Sequence, residues 1–125
     1  MAAPPSPLPE YVYKIIPAAP PSPIPAAYPL SDLDQKDGFV HLSIASQIPI
    51  TADLFFTQHT SIHVLKLRFK PAFHPITNWD TPGCPHLYGN FGSEDVVDVK
   101  EFVRSGGGEE SWKEAMARQE AGFLV

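Results

Sequence analysis

Ten of the fifteen prolines lie before residue 30. Proline lacks an amide hydrogen and locks φ, so this stretch cannot propagate a helix and must run extended or turn. The prolines fall in a repeat: Ala2-Ala3-Pro4-Pro5-Ser6-Pro7-Leu8-Pro9 recurs as Ala18-Ala19-Pro20-Pro21-Ser22-Pro23-Ile24-Pro25. Tracts of this kind favour polyproline II. Both copies carry the Pro-x-x-Pro spacing that aromatic-grooved protein modules bind, which makes such a module one expected partner. The lack of flanking arginines favours the plainer reading, a stiff tail over 1–10 and a stiff surface loop over 17–29.

The remaining residues must supply the core, and a chain of 125 residues is the length of one ordinary domain. Residues 11–125 are therefore read as one domain. Between the two tracts, Tyr11-Val12-Tyr13-Lys14-Ile15-Ile16 is a β-branched and aromatic strand. Ser31 to Gly38 reads as a polar turn, followed by a short strand from Phe39 to Leu42. A helix starts near Ser46-Gln47-Ile48-Pro49, with Ile50, Leu54 and Phe55 as its apolar stripe. Ile62 to Phe69 alternates as a strand, with His63, Leu65, Leu67 and Phe69 on one face, His63 being a histidine at the edge of the core. Residues 70–85 are irregular, Val96 to Val103 is a further strand, and Gly106-Gly107-Gly108 releases the chain into a helix over about 109–120. On that helix a Glu114/Arg118 pair is expected. This order is α+β, not a regular βαβ alternation.

A net charge of −5 argues against a sequence-independent nucleic-acid binder, which needs a basic face. No apolar run reaches the length of a membrane span. Cys84 is the one cysteine, so no internal disulfide forms, and the start of the chain lacks the charged and apolar regions of a signal peptide. The expectation is a cytoplasmic protein.

Two short units carry the chemistry. His41-Leu42-Ser43 and His86-Leu87-Tyr88 each set an imidazole and a hydroxyl two residues apart, on the same side of an extended strand. This spacing serves general acid/base work, ligand binding and structural hydrogen bonding alike. The two units are expected to share one cleft lined by Tyr88.

These blocks also carry a resemblance. Tyr13-Lys14-Ile15, Asp37-Gly38-Phe39-Val40-His41-Leu42-Ser43, Gln47 with Thr51-Ala52, the Leu65-Leu67 strand, Trp79-Asp80 and Pro85-His86-Leu87-Tyr88-Gly89 follow one another as in the domain-of-unknown-function 952 family, over roughly residues 11–103. The resemblance implies a small split β-sheet with few helices, like the ADP-ribosyltransferase fold, around a nucleotide-sized cleft. The Val-His-Leu-Ser block is also similar to a strand of the RNA 2′-phosphotransferases, which consume NAD. Three features depart from the pattern: Lys14 stands where relatives commonly have histidine, Asp80 where they commonly have glutamate, and the Pro-rich stretch 17–29 replaces a segment that looks helical in relatives.

What the resemblance implies is an NAD-dependent ADP-ribosyl- or phosphotransferase-like enzyme with NAD or ADP-ribose as substrate and no metal. His41, His86 and Asp80 would then be catalytic, with Ser43, Tyr88, Lys14, Tyr13 and Trp79 around the ligand and Glu94 and Asp95 as reserve loop acids. Lys14 offers no acceptor and brings a fixed charge near the nicotinamide cation, so a non-catalytic nucleotide- or protein-binding domain stands beside the enzyme reading. Two further readings are a two-histidine phosphoesterase, which Tyr88 fits less well than a serine would, and a zinc site from His41, His86 and His74 or Asp80, which no short ligand spacing supports.

Overall fold

The apolar and β-branched runs form the strands expected of them. In the computed structural model, which describes residues 4–106 and 109–125, β1 is Tyr11–Ile16, β3 is Ser61–Arg68 and β6 is Val96–Val103. They form an antiparallel sheet in the order β1-β3-β6, with Tyr11 opposite Arg68 and Ile62 opposite Phe102. Residues Met1 to Ala3 of the first Pro-rich tract, and Gly107 and Gly108 of the glycine run, lie outside the described residues. A second antiparallel sheet, in the order β2-β5-β4, is made of two-residue strands: β2 (Val40–His41), β4 (Thr77–Asn78) and β5 (His86–Leu87). Neither β4 nor a 3-10 segment at Pro71–Ile76 was expected in the irregular stretch 70–85.

One bridge joins the two sheets. Beyond β2, Ser43 reaches the free edge of β1, where the Ser43 amide donates to the Tyr13 carbonyl at 2.9 Å and the Tyr13 amide donates to the Ser43 carbonyl at 2.8 Å. The central strand β3 is covered on both sides, so Ile62, Val64, Leu65 and Leu67 are all fully buried, while Ser61, His63 and Lys66 are partly exposed. Leu65 and Leu67 pack with Val12, Val40, Leu42 and Leu87 toward the second sheet. On the other side, Ile62 and Val64 pack with Tyr13, Phe102 and the helices. The result is a small α+β fold with two small antiparallel sheets and few helices.

The polar turn expected at Ser31 to Gly38 is a helix, α1 (Asp32–Asp37). The Ser31 hydroxyl accepts from the Asp34 amide at 3.1 Å, and Gly38, at φ 81°, ends the helix in the left-handed region. A cap at each end stabilises a helix too polar to be recognised by periodicity.

The next helix, α2 (Ile48–Phe55), forms where expected but presents the opposite face to the core. Ile48 and Ala52 are buried, whereas Ile50, Leu54 and Phe55 are 50%, 66% and 74% exposed. The cause is α3 (Trp112–Gln119), which docks on the Ala52 side. There the Asp53 carboxylate accepts from the Trp112 amide at 2.7 Å and the Lys113 amide at 3.2 Å, and the Trp112 indole donates to the Phe56 carbonyl at 2.9 Å.

That third helix begins later than Glu109, because Ser111 caps it by accepting from the Glu114 amide at 3.0 Å. Glu114 in turn takes the Ser111 hydroxyl at 3.1 Å, so Arg118 pairs with Glu110 at 2.7 Å and not with Glu114. The Pro-rich stretch 17–29 is irregular and is strapped down at its end. Tyr28 stacks on Phe91 at 4.9 Å, its amide donates to the Phe91 carbonyl at 2.8 Å, and the Ser93 amide donates to the Pro25 carbonyl at 2.9 Å. Among the described residues no helix is long and apolar enough to cross a membrane.

Candidate functional site

Strand pairing decides which histidines meet. In the β2–β5 ladder His41 lies directly opposite His86, and cross-strand partners on one face are close neighbours. Their ring centroids are 5.7 Å apart, edge to face. Phe39, one turn-residue before β2, lies over both: it stacks on His86 at 4.1 Å and is tilted against His41 at 4.6 Å and Tyr88 at 5.3 Å. The two His-Leu units therefore meet side by side on one sheet, and Tyr88, 52% exposed, extends the ring surface outward.

Behind this surface lies a charged bracket built by α1. The Asp34 carboxylate, 1% exposed, has one oxygen 2.6 Å from Nδ1 of His41 and the other 2.8 Å from Nζ of Lys14. It also accepts from the His41 amide at 3.2 Å. Burial pushes the Asp34 carboxyl up, but the hydrogen bonds from Lys14 and His41 outweigh it and hold the group below its ordinary value. On the outer side, Asp37 has an oxygen 3.0 Å from Nε2 of His41. Lys14 completes the bracket by donating to the His41 carbonyl at 3.1 Å.

His86 is in a different position. Burial lowers its pKa from the ordinary value and the neighbouring His41 lowers it further, while Asp80 and Asp37 pull the other way. The imidazole is thus biased toward its neutral form, in which one nitrogen carries a lone pair.

Of the other residues singled out in the sequence, Lys14 belongs to the bracket and Asp80 lies near enough to act on His86, while the rest are dispersed. Tyr13 is fully buried on the helix side of the sheet, where its hydroxyl donates to the Phe123 carbonyl at 3.0 Å and accepts from the Val125 amide at 2.9 Å. Ser43 is 5% exposed at the bridge between the sheets. Trp79 is buried, edge-on to Phe69 at 5.8 Å. Asp80 is exposed, with its amide taken by the Asn78 side chain at 2.8 Å. Glu94 and Asp95 are both committed to Lys70, at 3.2 and 2.6 Å. His74 lies against Phe69 at 4.7 Å, and Cys84 is a half-buried free thiol. Among the described residues no group of three His, Cys, Asp or Glu side chains could hold a metal ion.

Three contributors were missed from the sequence: Asp34, Asp37 and Phe39. A signal for the first two was present, because Ser31-x-x-Asp34 is a capping pattern and Gly38 a helix stop. A helix over that stretch sets Asp34 and Asp37 on adjacent turns.

Similarity to known proteins agrees with this architecture. The solved crystal structure of protein CC0527 from Caulobacter crescentus superposes with a TM-score of 0.65 at 24% identity, covering 78% of this chain and 90% of that one. The solution NMR structure of the same protein gives a TM-score of 0.61 at 21% identity, covering 79% and 90%. At these identities what is shared is the fold. No curated protein matches the chain. Residues 23–99, which span α1, both sheets' inner strands and the whole histidine cluster, match the family Protein of unknown function (DUF952), and the chain belongs to that family.

Proposed function

We propose that the surface formed by Phe39, His41, His86 and Tyr88 binds the nicotinamide end of an NAD-type nucleotide, on a split sheet related to the ADP-ribosyltransferase fold. The observation that supports this most is the combination of clustered rings with carboxylates at their edge: Phe39 stacked on His86, Tyr88 half-exposed beside them, and Asp37 and Asp80 acting on His86. A flat cationic ring gains from both features. Aromatic faces attract a cation by about 0.5–1 kcal/mol at exposed sites, and a carboxylate in water adds about 1 kcal/mol at 4 Å. A pyrophosphate gains from neither, since Lys14 is already engaged by Asp34.

In its enzymatic form, the bond from the ribose anomeric carbon to the nicotinamide nitrogen breaks, with the electron pair leaving on nicotinamide. Asp80 stabilises the developing oxocarbenium charge, and His86 takes the proton of an acceptor hydroxyl as it attacks. The binding-module form keeps the same ligand without bond cleavage. The two-histidine phosphoesterase reading is less favoured, because Ser43 is buried and Tyr88 is exposed, so the two units present unlike hydroxyls.

Calorimetric titration with NAD, nicotinamide mononucleotide and ADP-ribose tests the proposal. The two ligands that carry the cationic ring should bind more tightly than ADP-ribose. Replacing Phe39 or Tyr88 by alanine should weaken them by about 0.5–1.5 kcal/mol, roughly two- to tenfold. Nicotinamide release separates the enzyme from the binding module. Preference for ADP-ribose, or for a cyclic phosphate, would overturn the assignment.

A further inference from the structure

The two histidines of the cluster look equivalent in sequence, each followed by leucine and a hydroxyl residue. Their nitrogens are not equivalently placed. Both nitrogens of His41 face carboxylate oxygens, Nδ1 at 2.6 Å from Asp34 and Nε2 at 3.0 Å from Asp37. Neither distance leaves room for a ligand atom between ring and carboxylate. His86, by contrast, makes ring contacts with Phe39 and His41 and has no hydrogen bond to its ring among the described residues.

We infer that Asp34 and Asp37 are positioning residues that occupy both ring nitrogens of His41, leaving His86 as the one imidazole of the cluster that can accept a hydrogen bond or a proton from a ligand. The division of labour follows from the chain. Asp34 and Asp37 lie on adjacent turns of α1, and the tight Gly38 turn brings β2 back alongside them, so one helix supplies both carboxylates. Lys14 fixes Asp34 from behind, and the groups facing the pair are Asp34, Asp37, Lys14 and, toward His86, Asp80. Exposure does not account for the difference: the His41 side chain is 31% exposed, so solvent and reagents reach it. His41 thus acts as a brace between α1 and the sheet and as a wall of the ring cluster. His86 meets the ligand. This deepens the proposed nicotinamide site by naming its acceptor, and its test does not require that ligand.

Acylation by diethylpyrocarbonate, followed by peptide mass mapping, reads the availability of each imidazole nitrogen. His86 should react faster than His41 in the unaltered protein. Asp37→Ala, at an exposed position, should raise the His41 rate by about fivefold, the equivalent of releasing one hydrogen bond of about 1 kcal/mol, and leave the His86 rate within about twofold. Asp34→Ala should do the same if it folds; Asp37→Ala carries the test if it does not. Equal rates for the two histidines in the unaltered protein, or no change at His41 in Asp37→Ala, would overturn the inference. Millimolar NAD should slow modification of His86 and not of His41. Differential rates without protection by NAD would remove the ligand reading and leave the assignment of His86 standing.

Discussion

The Lys14 ammonium and the Asp34 carboxylate form an ion pair at 2.8 Å, with side chains 9% and 1% exposed. Lys14 comes from the middle of β1 and Asp34 from α1, so the pair fastens the helix that carries the histidine bracket to the larger sheet. Removing Lys14 leaves the Asp34 carboxylate with only His41, and removing Asp34 leaves the Lys14 ammonium with only the His41 carbonyl; breaking a buried ion pair in this way costs about 3–5 kcal/mol. Lys14→Met and Asp34→Asn should each lose stability on that order in urea titrations. The double variant should lose much less than the sum, because the partners are coupled. Additive losses would show that the pair does not act as a unit.

The same carboxylate contributes to stability in a pH-dependent way. Its pKa in the folded protein is below the ordinary value, so its contribution is complete above about pH 4, the ordinary carboxylate range, and declines as pH falls through the folded value. His86 acts in a separate and higher window. Its folded pKa is also depressed, so below about pH 6.5 the unfolded chain takes up the proton first and stability falls with pH. Equilibrium unfolding between pH 7 and 5 should therefore show a declining slope, and His86→Asn should flatten it without altering the lower window.

Gly92 lies against the Pro-rich strap, and a methyl group there would overlap the Ala26 backbone carbonyl. Gly92→Ala should cost about 1–3 kcal/mol or more, since backbone cannot move aside as a side chain can. Gly38→Ala meets nothing within 4 Å but places a side chain at φ 81°, which costs about 1–2 kcal/mol. Thermal melting of both variants should rank Gly92→Ala as the more harmful.

On α2, Leu54→Gln faces water and should change stability by about 0.5 kcal/mol or less. Ile48→Ala removes a fully buried side chain and should cost about 2–5 kcal/mol. Comparable losses at the two positions would mean that Leu54 is covered.

Strands β1, β3 and β6 were legible because alternation and β-branched composition are local properties. The His-Leu spacing singled out His41 and His86, but Ser43, two residues after His41, lies at the bridge between the sheets and not with the rings. The helices were less legible. Ile48, Ile50, Leu54 and Phe55 offer α2 apolar residues on more than one side, and nothing within the helix says which side α3 will take. The polar stretch from Ser31 to Gly38 carried its capping residues openly, yet its helix has no apolar stripe to recognise.

The sequence by itself determined that residues 17–29 carry no helix, and it determined the strands of the larger sheet and the His-Leu pattern, all of which follow from backbone restriction and short-range periodicity. Only the tertiary structure decided that Lys14 and Asp34, twenty positions apart, would meet in the interior, and that Asp34 and Asp37 would engage His41 while His86 stayed open. Those outcomes depend on the distance between an α1 carboxylate and two strands from elsewhere in the chain. Electrostatic and hydrogen-bond energies fall steeply with such distances, and local sequence does not contain them.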